Sequence, residues 1–327
     1  MAPPDPAAPP TTGHAHGHAS ADSDRRWLAG ALSVITVFML GEVIVGVTAG
    51  SLALLSDAAH MLTDAASIAL ALWAIRLAAR PAMGSMTYGW KRVEILSAQA
   101  NGVSLLVLAV WLTYEAVRRL IQPPQVTGTL VLITALAGIV VNVAATWMIS
   151  RANRASLNVE GAFQHILNDL FAFIATAVAG VIIMTTGFAR ADAIATLVVV
   201  ALMIRAGIGL VCASSRVFLE AAPKDLNPTS IGQQMATRDG VLEVHDLHIW
   251  EITSGSPALS AHVLVTPDSD CHAVRADLTR LLASDHGIDH TTLQVDHAHP
   301  ESVGSPQSGI DAHCQDPHGR PHTPGHP

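Results

Sequence analysis

Two short stretches of the sequence each carry a histidine and an aspartate four positions apart. His60 and Asp64 form the first pair, and His165 and Asp169 form the second. Residues four apart share one face of an α-helix, so each pair presents an imidazole beside a carboxylate. Two such helices packed together would bring two nitrogen and two oxygen ligands to one point. That set suits a tetrahedral divalent metal ion, with zinc favoured by the imidazoles.

The elements that must position these pairs are long and apolar. Of the 327 residues, 50% are hydrophobic and only 13% are charged, whereas soluble domains average about 25% charged residues. A membrane-spanning helix needs about 20 mainly apolar residues. The sequence predicts six such helices, separated by glycine, proline or charged residues, over about 27–49, 53–78, 93–120, 127–150, 158–186 and 191–214. The two pairs fall in the second and fifth of them.

A local role for each pair is the alternative interpretation, in which each histidine caps a helix end or bonds only its own aspartate. Among the 17 histidines, His60 and His165 alone belong to the six predicted helices. Ionisable side chains at membrane depth cost roughly 2.5–3.5 kcal/mol each on insertion scales, which favours a functional role. Two identical pairs therefore favour one shared metal site. Asp57, three residues before His60, is a candidate outer or entry carboxylate, or else a polar residue near the helix start.

The last third of the chain has the composition of a soluble domain. Its pattern predicts a helix, two strands, a second helix and a third strand, over about 227–238, 241–252, 258–266, 269–284 and 291–296. This α-β-β-α-β order predicts a small α+β domain. The predicted boundaries give a disordered N-terminal tail, a six-helix transmembrane domain, the α+β domain and a disordered His-rich C-terminal tail, over 1–26, 27–215, 216–297 and 298–327.

Charge and cysteine content exclude several classes of protein. Residues 217–327 contain 15 acidic and 5 basic residues, which disfavours nucleic-acid binding. The three cysteines are too far apart for a disulfide framework or a CxxC zinc site. Basic residues concentrate on one side of the predicted helices, which predicts that both termini lie in the cytoplasm. The expected location is the inner (plasma) membrane.

The chain resembles the cation diffusion facilitators, in the zinc-transporting form that has a His-xxx-Asp motif. The resemblance covers about residues 27–297, in order and with matching spacing. The motifs that carry it are Asp57-Ala-Ala-His60-Met-Leu-Thr-Asp64, Tyr88-Gly-Trp-Lys91-Arg-Val-Glu94, Tyr114-Glu115-Ala-Val-Arg118, Gln164-His165-Ile-Leu-Asn168-Asp169, Asp192-Ala-Ile194 and His245-Asp-Leu-His248-Ile-Trp250.

The resemblance implies a fold, an activity and a transport site. The fold is six transmembrane helices and a cytoplasmic ferredoxin-like domain in a homodimer. The activity is export of zinc, and of related ions such as cadmium, cobalt and nickel, in exchange for protons, without catalysis and without a tightly bound cofactor. His60, Asp64, His165 and Asp169 would hold the transported ion. Asn168 stands where the family commonly has glycine, so it is a candidate neighbour of that site.

The resemblance also implies a metal site in the cytoplasmic domain, where zinc would act as a regulatory ligand. His245, His262, His272 and Asp296 match its ligand positions, and Gln294 replaces a further one. Surface histidines on an acidic domain are the alternative. His248 lies three residues beyond His245, and regular strand alternation puts it on the opposite face. The histidines of the two tails can bind zinc weakly without a fixed geometry, which is compatible with a collecting or buffering role.

Two other functions compete with transport. A membrane-tethered metal sensor would account for the cytoplasmic histidines and leave the paired membrane residues without a role. An intramembrane metalloprotease would need a glutamate beside the ligands, as in HExxH, and an open coordination position for water. Glu42, Glu94, Glu115 and Glu160 all lie outside the two His-xxx-Asp motifs. The sequence therefore favours the transporter.

Overall fold

A computed structural model of the chain describes residues 16–49, 52–122, 128–298 and 321–324. Six long helices are followed by an α-β-β-α-β domain. The elements are α1 (His16–Ala49), α2 (Leu52–Ala78), α3 (Val93–Ile121), α4 (Gly128–Ser150), α5 (Leu157–Thr186), α6 (Ala191–Phe218), α7 (Pro228–Ala236), β1 (Val241–Thr253), β2 (Ser256–Val265), α8 (Cys271–His286) and β3 (His290–His297). The predicted fold class is confirmed.

Five of the helices are apolar over a membrane-spanning length among the described residues. They are α1, α2, α3, α5 and α6, whereas α4 has a shorter apolar stretch from Ala135 to Ser150. α1 begins at His16 and not near residue 27, so the predicted N-terminal tail is helical over 16–26. No proline occurs between Pro10 and Pro81 to interrupt that extension. Residues 1–15 lie outside the described part of the chain.

The chain divides into two compact units. Unit 1 comprises Met1–Arg76, Leu105–Arg154 and Val159–Arg205, and unit 2 comprises Leu77–Ser104, Ala155–Asn158 and Ala206–Pro327. This division differs from the boundary at 215/216 that the sequence predicts. That boundary stays a prediction.

The core of unit 1 joins four helices, α1, α2, α4 and α5. Leu28 and Ile35, the α2 residues from Met61 to Ile75, and Ala145 and Ile149 belong to one buried cluster with Phe163 and Ile166. Glycines let the helices approach closely, since a Cβ at Gly138 would overlap the ring of Phe173. Large apolar side chains such as Val110 and Trp111 point away from the core, as lipid-facing residues do.

Unit 2 contains a three-stranded sheet in the order β1-β2-β3. β1 and β2 are antiparallel, and β2 and β3 are parallel and joined through α8. A side chain caps the N-terminus of each helix of this domain. At α7, Asn227 accepts from the Ser230 N–H, and at α8, Asp270 accepts from the N–H groups of His272 and Ala273. One face of the sheet packs against α7 and α8 around a buried cluster that includes Ile231, Met235, Val244, Leu259, Val263, Leu278 and Leu282.

A β-bulge interrupts β1 after His245. Asp246 has a positive φ of 52°, and the pairing with β2 shifts between His245 and His248. His245 pairs with His262, and His248 pairs with Ser260. Aspartate tolerates the left-handed conformation better than most residues, which suits it to this position. The bulge decides which face of the sheet each following side chain of β1 occupies.

Candidate metal site

Apolar packing fixes α2 against α5 inside unit 1. On α2 the buried residues Met61, Asp64, Ala65 and Ile68 follow the spacing of one helical face. Their apolar members share one cluster with Ala162, Phe163 and Ile166 on α5. Asp64 is therefore a carboxylate carried into an apolar helix contact. His165 lies on the facing stretch of α5 and is only 2% exposed.

Three of the four side chains predicted as ligands meet at this contact. His165 Nε2 lies 3.2 Å from Asp64 Oδ1 and 4.0 Å from Asp169 Oδ2. One ligand atom from each of the three residues lies within 4.8 Å of the others. Tetrahedral zinc at about 2.0–2.1 Å from nitrogen and oxygen ligands separates those ligands by roughly 3.3 Å. A small inward shift of the side chains would complete three of its four bonds.

Several polar atoms of this group are buried without a well-formed hydrogen bond among the described residues. They are both ring nitrogens of His165 and Oδ2 of Asp169. An unsatisfied buried polar group costs about 1–3 kcal/mol, so such a group calls for a physical explanation. A cation that accepts the lone pairs of an imidazole and two carboxylates provides one. The donor set fits zinc, and its two carboxylates balance the charge of a dication.

The fourth predicted ligand, His60, belongs to α2, one turn before Asp64. Its side chain and that of Asp57 are outside the described residues. The roles of both residues therefore stay predictions. Asn168 is buried beside the site, and its amide nitrogen donates to the Gln164 carbonyl oxygen at 2.7 Å, on its own helix.

Glu160 is the glutamate of α5, and it has other partners. Its carboxylate accepts from Arg154 at 2.9 and 3.2 Å and from Gln164 at 2.6 Å. The Arg154 guanidinium also lies 3.8 Å from the centre of the Phe163 ring. These contacts fasten the loop before α5 to its first turns, so Glu160 helps to position the helix that carries His165.

A second group of ionisable side chains lies on the face of the sheet away from α7 and α8. The rings of His245 and His262 meet edge to face with centroids 5.4 Å apart. His245 is 7% exposed, and its Nδ1 lies 3.1 Å from Glu243 Oε1. Neither of its ring nitrogens makes a well-formed hydrogen bond among the described residues. The structure thus brings together two of the four residues predicted as cytoplasmic ligands.

The prediction that His248 lies on the opposite face from His245 is wrong. It assumed a regular strand, and the bulge at Asp246 inserts an extra residue that changes the alternation. His248 therefore shares the face of His245 and His262. The Asp246 carboxylate contacts two of these histidines. Its oxygens lie 3.0 Å from His248 Nε2 and 4.0 Å from His262 Nε2.

The remaining two predicted cytoplasmic ligands are placed differently. Asp296 is on β3 and accepts from Gln294, which pairs with His262. His272 is exposed at the start of α8. Among the described residues, these side chains do not form a group with ligand atoms as close as those of Asp64, His165 and Asp169.

Glu243 and Asp246 are acidic neighbours that the sequence did not single out. Glu243 is two residues before His245, and regular strand spacing puts both on one face. That signal was available from sequence. The position of Asp246 depends on the bulge, which no local pattern shows.

Comparison with known proteins agrees with both halves of this architecture. The family profile described as the cation efflux transmembrane domain matches residues 28–219. The profile described as the cation efflux protein cytoplasmic domain matches residues 223–298. The chain belongs to the cation efflux family, the cation diffusion facilitators that its motifs resemble. It is a multi-pass membrane protein of a transporter family and not an enzyme.

Individual relatives share about a third of the sequence over nearly the whole chain. A cadmium, cobalt and zinc/H(+)-K(+) antiporter of Bacillus velezensis is 36% identical, covering 89% of this chain and 95% of its own length. The metal cation efflux system protein CzcD of Cupriavidus metallidurans is 38% identical over 90% and 93%. The zinc transporter ZitB of Escherichia coli is 33% identical over 93% and 96%.

One solved structure matches a small part of the chain. It is the metal-bound C-terminal domain of the CzcD transporter, 32% identical, and it matches 22% of this chain and 99% of that one with a TM-score of 0.21.

Proposed function

We propose that the protein exports zinc and related divalent cations from the cytoplasm, by exposing one intramembrane site to each side of the membrane in turn. The observation that carries this proposal is the buried group of Asp64, His165 and Asp169, which brings one imidazole and two carboxylates within 4.8 Å of one another. A buried metal site between two membrane helices is what alternating access requires. His60, one turn before Asp64, is proposed as the fourth ligand. The names of the relatives support zinc, cadmium and cobalt as substrates.

Proton exchange follows from the chemistry of this ligand set. Zinc needs neutral imidazoles and ionised carboxylates, so metal loading releases protons and metal release takes them up. Imidazole titrates near pH 6.5 when unperturbed, so an outward-facing site in an acidic medium gains protons that a cytoplasm-facing site lacks. The metal-loaded carrier would turn outward and the protonated carrier inward. The antiporter name of the Bacillus relative supports this coupling.

The cytoplasmic domain is proposed to bind zinc as a regulatory ligand and to join two copies of the chain. The His245–His262 pair, with Glu243 and Asp246 beside it, supplies imidazole and carboxylate donors. His272 and Asp296 would complete the site only if they move toward it or come from a partner copy. Both termini are proposed to lie in the cytoplasm, as the basic residues indicate.

The geometry disfavours proteolysis. A zinc protease needs a carboxylate general base beside the metal-bound water. Glu160, the glutamate of α5, is bound to Arg154 and Gln164, and both carboxylates of the group are needed as ligands. A metal sensor without transport would explain the cytoplasmic histidines alone.

Flux into proteoliposomes tests the proposal. The purified chain is reconstituted around a zinc-sensitive dye, and zinc, cadmium, cobalt, nickel and manganese are added separately, with and without a pH gradient. We expect zinc influx that accelerates when the lumen is acidic, because protons then leave as metal enters. Zinc binding without flux would identify a sensor and contradict transport. Flux that ignores the gradient would contradict proton exchange only.

A further inference from the structure

A short segment near the C-terminus is seated on the cytoplasmic domain. His322 pairs with Val244 in an isolated antiparallel bridge. The Val244 N–H donates to the His322 carbonyl at 2.9 Å, and the His322 N–H donates to the Val244 carbonyl at 2.8 Å. The Gln233 side chain adds a third bond to the Thr323 carbonyl oxygen at 3.0 Å. These contacts all lie within unit 2.

The segment binds at an exposed edge of the sheet. β1 is an edge strand, because the sheet runs β1-β2-β3 and β1 has β2 on one side only. Val244 pairs with Val263 of β2, while its own N–H and C=O point away from β2, toward the free side of the edge. An edge with free backbone groups accepts an extended peptide as an added strand. The bulge at Asp246 then turns the edge, so the regular stretch available for pairing ends near Val244.

The His322 side chain also has a fitted place. Its ring lies against Gly232 of α7 so closely that a Cβ there would overlap ring atoms Cδ2, Nε2 and Cγ. α7 packs on β1, with Ile231 and Met235 in the same core as Val244. Glycine in a helix interior costs about 1 kcal/mol relative to alanine. At Gly232 that loss is offset by space for an aromatic ring.

The sequence of the segment limits it to this single bridge. Pro321 and Pro324 flank His322 and Thr323. Proline has a fixed φ and no N–H, and it restricts the residue before it to extended backbone. Pro324 thus restricts Thr323 to extended backbone and the two prolines have fixed φ, which lowers the entropy lost on docking at these three positions. The segment cannot extend the ladder to a further strand.

We propose that the edge of β1 at Val244 and the glycine slot at Gly232 form a docking site for the chain's own C-terminal segment Pro321–Pro324. The segment acts as a one-residue fourth strand, keyed by the His322 ring. At Val244 it occupies backbone groups that the edge of β1 would otherwise expose to other chains. It also fastens the backbone next to His245, the buried histidine of the cytoplasmic group. The sequence predicts disorder over residues 298–327, and the structure differs at two places. The Ala298 N–H donates to the Val265 carbonyl, and His322 in the segment 321–324 bonds Val244.

Hydrogen exchange on the full chain in detergent micelles tests this docking. The Val244 amide should exchange at least about 10-fold faster once residues 321–327 are deleted, since its hydrogen bond partner is gone. Gly232→Ala should have the same effect by expelling the ring, although alanine favours the helix. Gly209→Ala is the matched control, because nothing lies within 4 Å of a Cβ there. Equal Val244 exchange in the wild type and the deletion variant would overturn the proposal.

A cysteine pair distinguishes the chain's own segment from that of a partner. Gln233→Cys and Thr323→Cys are combined in a chain whose three native cysteines are replaced by serine. Oxidation should give a disulfide within one chain, seen as a monomer of altered mobility on a denaturing gel without reductant. A covalent dimer would show that a partner's segment binds there and would overturn docking in cis.

Discussion

At the scale of single residues, Asp64 joins the two helices of the candidate metal site. It lies at an apolar contact between α2 and α5, 3% exposed, with its carboxylate 3.2 Å from the His165 ring. An ionised carboxylate is costly to bury unless its charge is balanced, and this site holds two carboxylates, those of Asp64 and Asp169. Their burial is understandable if a cation binds during the working cycle. His165 has the same property, since both of its ring nitrogens lack a well-formed hydrogen bond among the described residues.

Asp64→Asn and Asp169→Asn should each reduce zinc flux by about 100-fold or more. Changes to groups that merely orient a metal ligand already cost 10–100-fold in affinity, and each of these variants removes a ligand and one of two neutralising charges. Asparagine has the shape of aspartate and no charge to bury, so insertion and folding should be retained. The measurement is zinc influx into proteoliposomes at matched protein content. Asp192→Asn, an α6 aspartate paired with Arg119, is the control, and wild-type flux in either site variant would refute the site.

At the scale of elements, the bulge in β1 organises the cytoplasmic group. Asp246 has a left-handed backbone and directs its carboxylate at His248. A residue with a Cβ pays roughly 1–2 kcal/mol in that conformation, and glycine does not.

Asp246→Gly should therefore preserve the β1–β2 ladder better than Asp246→Ala, by about 1 kcal/mol. Protection of the β2 amides against hydrogen exchange gives the comparison. The same two substitutions at Asp268, an exposed loop residue without a positive φ, form the control, and glycine should bring no advantage there. If alanine is tolerated as well as glycine at position 246, backbone strain is not what selects the residue.

The docked segment should respond to pH. Burial lowers the pKa of His322 from its ordinary value of 6.5, so the docked ring binds protons less readily than the free ring. Docking is then fully stable above about pH 6.5 and weakens as the pH falls below that value. α7 has no charged residue. On β1 the titratable neighbours of Val244 are Glu243 and His245, which contact each other and belong to the opposite face of the sheet.

Val244 exchange, corrected for the intrinsic effect of pH on amide exchange, measures this response. The protection lost in Gly232→Ala should be large at pH 7.5 and shrink toward pH 5.5. Protection that stays constant over this range would mean that the ring leaves the slot without a protonation step.

At the scale of the whole molecule, charge opposes the proposed pairing of two chains. Residues 217–327 carry 15 acidic and 5 basic side chains. Two copies of such a domain repel at low salt, and bound dications offset the repulsion.

Zinc should therefore tighten dimerisation of the full chain by about 10-fold or more relative to EDTA, which corresponds to 1.4 kcal/mol. Native mass spectrometry from detergent over a dilution series gives the dissociation constant. His245→Ala should abolish the zinc effect. His286→Ala should keep it, since His286 bonds Gln234 on α7, away from the group. A dissociation constant that ignores zinc and EDTA in the wild type would contradict the idea.

Much of this protein was predictable because its signals are local or periodic. The length of apolar runs determined six helices near their observed positions, and strand alternation determined the α-β-β-α-β order. The His-xxx-Asp spacing determined that each pair shares a helical face. Asp64, His165 and Asp169 do meet, where the apolar residues of α2 and α5 belong to one buried cluster.

Other features of the protein follow only from its tertiary structure, because they depend on contacts between residues far apart in the chain. The face of His248 depends on a bulge that exists only in the pairing of β1 with β2. The docking of His322 depends on a free edge at Val244 and on the missing side chain of Gly232. The sequence shows the histidines, prolines and glycines that take part. It does not show that they meet, because the free energy of such contacts exists only once the sheet and helices are packed.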